Sequence, residues 1–326
     1  MPRSISRPRT TSRDPRRSTP AASLPALLLT LLLALTACGS DSSDSGNAAS
    51  HSSGSAAFPV TVTGGGGELT LDEQPETIVS MSATTTEMLF AIGAGDQVEA
   101  VDDNSNYPEE APRTDLSAFT PNAEAIAGYA PDLVILSNDQ NGIVDALDAL
   151  SVPTLLLPAG ETVDDTYQQL ATLGDATGHA DEADKVVADV QDRIAAAVDS
   201  VSADVKGMRV YHELDPTYYS VTSSTFLGGI YKLFGLENIT DGAKNTANGY
   251  PQLSAEYVVA QAPDLIVLAD TVCCRQSADA VAKRPAFASV PAVKEHRVLA
   301  MNDDIASRWG PRVADFVESV AKALRG

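Results

Sequence analysis

Residues 122–138 read NAEAIAGYAPDLVILSN, and residues 254–270 read SAEYVVAQAPDLIVLAD. Aligned without a gap they agree at Ala123/Ala255, Glu124/Glu256, Ala130/Ala262, Pro131/Pro263, Asp132/Asp264, Leu133/Leu265 and Leu136/Leu268. Each copy opens on a residue suited to cap a helix, Asn122 or Ser254. A short helical run follows with a Glu in its first turn, then a stop at Ala-Pro-Asp and an unbroken apolar stretch. That pattern is helix, turn and buried strand. Its repetition predicts two similar halves.

Working outward, TIVSM at 77–81 and VEAV at 98–101 read as strands, with a helix over MLFAIGAG between them. Thr84 and Glu87 have the spacing of a capping box, which assigns Glu87 a structural role at that helix start. A helix around 142–150 and a strand at 152–157 complete a first α/β lobe over 58–160. Residues 161–204 carry no strand pattern. Val186, Val187, Val190, Ile194, Val198 and Val201 recur there at helical spacing, and Gly178 divides a first helix from a long second one. A helix of about twenty residues spans roughly 30 Å, enough to join two lobes. A strand at 208–212, a helix at 226–236, the second repeat copy, a strand at 297–301 and an amphipathic helix at 312–324 make a second lobe over 205–326. The predicted fold is α/β: two Rossmann-like lobes, a long rigid helix between them, and a ligand cleft where the lobes meet.

Residues 1–57 stand apart. Six arginines precede an apolar run from Ala21 to Ala37, the pattern of a signal peptide over residues 1–37. Leu35-Thr36-Ala37-Cys38-Gly39 resembles the lipobox of bacterial lipoproteins, which makes Cys38 the expected lipidated first residue, outside the cytoplasm on the outer face of the cell membrane. The Ser-, Gly- and Asp-rich residues 38–57 read as a flexible tether. Beyond residue 37 the chain holds 16 basic and 43 acidic residues, a net charge of −27. Such a surface repels nucleic acid and anionic lipid. Cys273 and Cys274 are adjacent in an oxidising compartment, either as a vicinal disulfide or as two thiols.

The ordered set PETIVSMSATTTEMLFAIGAGDQV, NYPEEA, NAEAIAGYAPDLVIL, YPQLSAEYVVAQAPDLIVL and SRWGPR resembles the substrate-binding lipoproteins of ABC importers for vitamin B12, ferric siderophores and haem. The resemblance implies two lobes joined by one rigid helix, a single ligand in the cleft, and an ABC permease as partner. It also implies that Glu124 and Glu256 dock on permease arginines. From their place at the far ends of the repeat units, these glutamates are expected to face away from the ligand.

Ligands of this class need aromatic faces and a few charges set by strand ends. The candidates are Asn104, Tyr107, Phe119 and Asn138 in the first lobe, and Tyr218, Tyr250, Arg275, Arg308 and Trp309 in the second. Arg308 matches a cleft arginine of the vitamin B12-binding relatives. Where those relatives place flanking aromatics this chain has Asn104 and Ser137 or Asn138, so a ferric siderophore and a corrinoid are both expected ligands. His212 and Glu213 end a strand facing the cleft, as a ligand contact or as a satisfied pair. The histidines His51, His179, His212 and His296 are scattered, against a bare-metal binder, and no HExxH, GxSxG or Walker A sequence points to catalysis. A monomer without cofactor is expected. A haem-binding member of the same family and a secreted α/β enzyme without a recognisable motif are the alternatives.

Overall fold

The computed structural model describes residues 58–326. The expected signal peptide over residues 1–37, the expected lipidated Cys38 and the expected tether over residues 38–57 lie outside the described residues. The described chain opens on an antiparallel hairpin, β1 (Val60–Gly64) and β2 (Gly67–Leu71), turned within the glycine run. Gly65 N donates to Leu156 O and ties the hairpin to the first lobe.

The first lobe runs β3 (Ile78–Met81), α1 (Ala83–Ala91), β4 (Val98–Val101), α2 (Ala123–Ala127), β5 (Leu133–Leu136), α3 (Ile143–Asp148) and β6 (Thr154–Leu156). Two helices come next, α4 (Val163–Thr177) and α5 (Ala180–Asp199), broken at Gly178 in the left-handed region as predicted. The second lobe runs β7 (Arg209–Glu213), α6 (Phe226–Leu233), β8 (Glu237–Asn238), α7 (Ala255–Gln261), β9 (Leu265–Leu268), α8 (Ala278–Ala282), α9 (Pro291–Lys294), β10 (Val298–Ala300) and α10 (Val313–Arg325). Among the described residues no helix is long and apolar enough to cross a membrane.

Both lobes have the same plan. The sheet orders are β4-β3-β5-β6 and β8-β7-β9-β10, all parallel, so in each the first strand lies between the second and the third. Parallel strands covered on both faces carry continuous apolar runs. Thus Leu133 and Ile135 enter one core and Val134 and Leu136 another, while Leu265 and Val267 part from Ile266 and Leu268 in the same way.

The repeat quoted above performs the same local task twice. Asn122 Oδ1 accepts from Ala125 N, and Ser254 Oγ from Tyr257 N, which caps α2 and α7. Ala130 and Ala262 then turn the chain at φ 51° and 49°. Asp132 Oδ2 accepts from Glu76 N and Thr77 N at 3.0 and 2.9 Å, and Asp264 Oδ2 from Arg209 N at 2.9 Å. Each aspartate therefore pins the incoming strand beside the first strand of its sheet.

The helix α5 bridges the lobes. Its N-terminal half lays Ala183 and Val187 on a core of the first sheet, and its C-terminal half lays Val190, Ile194 and Ala197 on a core of the second. Arg193 joins it to α10, donating to Glu318 at 2.8 and 2.9 Å and to Asp315 at 2.5 Å.

Candidate functional site: the inter-lobe cleft

In open parallel sheets ligands bind beyond the carboxyl ends of the strands, beside the point where strand order reverses. Exposed apolar side chains mark that edge in both lobes. Tyr107 and Phe119 follow β4, Tyr219 follows β7, Tyr250 is held beside the β7 loop by the Tyr219–Gln252 bridge, and Val272 follows β9. The other two large exposed apolar residues among the described ones, Leu150 and Leu233, lie at the opposite ends, where α3 and α6 finish. Exposed apolar side chains placed at one edge of both sheets make that edge the candidate binding surface.

The two carboxyl edges meet through charge. Glu87, mid-helix in α1 and only 2% exposed, receives both arginines of the SRWGPR segment. Arg308 Nη1 donates to its Oε1 at 2.6 Å; Arg312 Nε donates to Oε2 at 2.7 Å and Nη2 to Oε1 at 2.5 Å. Arg308 also donates to Asn104 O and Asn106 Oδ1, both at 3.1 Å, and to Asp304 at 2.7 Å, while Asn106 Nδ2 donates to Asp304. Burial opposes the charge of Arg312, yet the Glu87 carboxylate offsets this and raises its pKa. The Arg312 guanidinium lies 4.1 Å from the Tyr107 ring centre.

This corrects the reading of Glu87. The cap of α1 is Ser82, whose Oγ accepts from Thr85 N at 3.4 Å, so the helix starts earlier than the Thr84–Glu87 spacing implies. The hydroxyls of that segment form a buried chain instead. Thr86 Oγ1 bonds Ser80 Oγ at 2.9 Å and Ser105 Oγ at 2.8 Å, and Ser105 donates to Asp102, which fixes the loop carrying Asn104 and Tyr107.

A second polar cluster occupies the ends of β7 and β9. Glu213 is fully buried and held by both terminal nitrogens of Arg284, at 2.6 and 2.5 Å, and by Tyr211 Oη at 3.1 Å. Asp270, also fully buried, has no donor on either oxygen. Burial first, and then the Glu213 carboxylate, pushes its pKa up to about 7 against the pull of Arg284. Neighbouring His212 is buried against Tyr231 and Phe316, with Nδ1 2.6 Å from Tyr231 Oη, and desolvation pushes its pKa down to about 3. It is a neutral core residue and does not face the cleft. Cys273 and Cys274, just past β9, are joined as a vicinal disulfide.

The structure brings Asn104, Tyr107 and Arg308 together around Glu87. Phe119 (72% exposed), Asn138, Tyr250 and Arg275 stand on carboxyl-edge loops, and the Asn138 side chain donates to Ser137 Oγ at 3.4 Å. Two candidates are committed to packing. Trp309 donates from Nε1 to Gln169 and packs against a core of each sheet; Tyr218 stacks on Phe287 beneath Arg284. Sequence reasoning missed Glu87, Asn106, Asp304 and Arg312. No local pattern pointed to them, since Gly310-Pro311 keeps Arg308 and Arg312 off a common helix.

Glu124 and Glu256 are exposed in the first turns of α2 and α7. Their expected direction is wrong. A helix leading into a parallel strand runs back against it, so its start lies toward the carboxyl edge. Leu253 N donates to Tyr218 O just beyond β7, and Leu116 O accepts from Asp103 N just beyond β4, which places both helix approaches on the cleft side. Separately, a cavity of about 630 Å³ runs between α1, the Tyr107 loop, α5 and the start of α10, with Glu87 and Arg312 on its wall. Among the described residues no group of three His, Cys, Asp or Glu could hold a metal ion.

Two variants test this electrostatic reading. Glu87→Gln leaves two guanidinium groups without their shared counter-charge and is expected to lower unfolding free energy by about 3 kcal/mol in urea titration; an unchanged midpoint contradicts it. Asp270 favours its neutral form in the fold, so stability is fully present below pH 3.8 and is lost as pH rises through about 7. Asp270→Asn is expected to flatten that slope and to raise stability at pH 8 by about 2 kcal/mol. A parent chain with no slope over that window contradicts the assignment.

The chain is similar to known proteins. The family described as periplasmic binding protein matches residues 78–305. The ABC transporter substrate-binding lipoprotein YvrC of Bacillus subtilis is 28% identical over 92% of this chain and 95% of its own length. A cobalamin-binding protein of Halobacterium salinarum is 31% identical over 82% of this chain and 74% of its own. The periplasmic vitamin B12 binding protein BtuF of Vibrio cholerae superposes with a TM-score of 0.64 at 25% identity, over 77% of this chain and 97% of that one. With two like-ordered parallel sheets and a helix packed on a core of each, the chain belongs to the periplasmic binding protein family.

Proposed function

We propose that the chain is an extracytoplasmic solute-binding lipoprotein, which captures a metal chelate between its lobes and delivers it to an ABC permease. The observation that carries this is the concentration of exposed apolar side chains on the carboxyl edges of both sheets, beside the Arg308 cluster that joins them. A large, partly apolar ligand needs that combination. A corrinoid is the first reading, supported by relatives named for cobalamin and vitamin B12. A ferric siderophore is the second, because Asn104 and Asn138 offer hydrogen bonds where stacking rings would serve a corrin, and Trp309 is committed to packing. Tyr107, Phe119, Tyr250, Arg275 and Arg308 are the proposed contacts.

The Glu124 and Glu256 carboxylates are proposed to meet cationic side chains of the permease. The Glu256 amide and Ser254 hold the Glu256 carboxyl below its usual pKa. Because both glutamates lie toward the edge where the cleft opens, docking and ligand transfer share one face. Anchoring through lipid on Cys38 keeps a monomer near its permease, and labelling of the chain with a radioactive fatty acid tests that.

Calorimetric titration with cyanocobalamin, ferrioxamine B and haemin tests the binding function. One-to-one binding of cyanocobalamin or ferrioxamine B at submicromolar concentration, without chemical change, is expected. Heat from none of the three, or turnover of any, overturns the reading. Glu124→Arg combined with Glu256→Arg is expected to abolish uptake in cells while leaving the chelate's Kd within twofold. Normal uptake rejects the docking role.

A further inference from the structure

The vicinal disulfide sits in a turn of unusual surface chemistry. Val272 is 66% exposed, Cys273 is exposed and Cys274 half-buried, directly beyond the carboxyl end of β9. Three apolar residues at a loop tip gain nothing from water. Several polar groups of the turn are engaged within the protein. Val272 N and Cys273 N donate to the two oxygens of Asp303 at 2.9 and 2.8 Å. Thr271 Oγ1 donates to Met301 O and lies 3.2 Å from Asp303 Oδ1. Gln276 N closes the turn onto Asp270 O, Gln276 Nε2 donates to Cys274 O, and Gln276 Oε1 accepts from Arg284.

The disulfide removes what freedom remains, because it closes a ring over two successive residues. A rigid surface loses little entropy when a ligand covers it. Its anchor, Asp303, neighbours Asp304, which holds Arg308 in the inter-lobe cluster. The turn is thus fixed to the segment that crosses the cleft.

We infer that the Val272–Cys274 turn is a preformed apolar contact at the second-lobe side of the cleft, whose valine and sulfur atoms take the conjugated or hydrocarbon face of the chelate. Sulfur is polarisable and suits contact with a π system. Exposed Arg275, next in the chain, supplies a charge for a carboxylate or amide oxygen at the rim of the same ligand. This rests on the proposed chelate-binding function.

The test is titration of cyanocobalamin, ferrioxamine B and haemin into four proteins: the parent, Val272→Ser, Cys273→Ser/Cys274→Ser, and Leu233→Ser as an exposed apolar control at the opposite sheet edge. For a chelate the parent binds, Val272→Ser is expected to weaken affinity about fivefold, the double variant by about tenfold, and the control by less than twofold. Thermal melting checks the fold of each; if the double variant does not fold, Val272→Ser decides. Affinities within twofold of the parent in the variants of the turn, or an equal loss in the control, overturn the inference and leave the binding function standing. A parent that binds none of the three overturns both.

Discussion

The arrangement of the two lobes depends on one buried carboxylate. Glu87 comes from the first lobe and its two arginine partners from the second, and all three are largely removed from water. A buried ion pair adds little net stability, because desolvation cancels much of the attraction, but removing one partner strands the others at a cost of about 3–5 kcal/mol. Its worth is therefore positional. The partly exposed Arg193 pairs fasten the C-terminal half of α5 to α10 within the second lobe, and exposed pairs of that kind contribute about 0–1 kcal/mol. The helix sets the distance between the lobes, and Glu87 sets their facing.

That facing gives the cleft its character. With Glu87 and Asp304 as counter-charges for Arg308 and Arg312, Arg308 also meets Asn104 and Asn106, so a hydrogen-bonding lattice joins the lobes. A chelate with apolar bulk and peripheral amides or carboxylates matches such a surface better than a bare ion does. The large negative charge of the chain stays compatible with this, since a few local cations and donors can hold an anionic group within a negative field.

The range of each interaction decided whether it could be read from sequence. The strands were legible because covered parallel strands carry unbroken apolar runs, and the repeat at Asp132 and Asp264 was legible because each aspartate serves its own neighbouring strand. The linker was legible from its valine spacing and Gly178. Glu87 was not: its partners lie 221 and 225 residues away, and local spacing suggested a capping box at Thr84 where the cap is Ser82. The direction of Glu124 and Glu256 depended on running the helices back against parallel strands, a topological step that residue patterns do not contain. Trp309 looked like a cleft aromatic because composition cannot tell a ring in a loop from one packed on two cores.

The most direct measurement of ligand capture between the lobes is hydrogen–deuterium exchange with and without saturating chelate. Protection is expected in segments from both lobes at once, residues 104–119 in the first and residues 271–276 and 302–309 in the second. Protection confined to one lobe, or to the α5 cavity wall at residues 185–193, would contradict it.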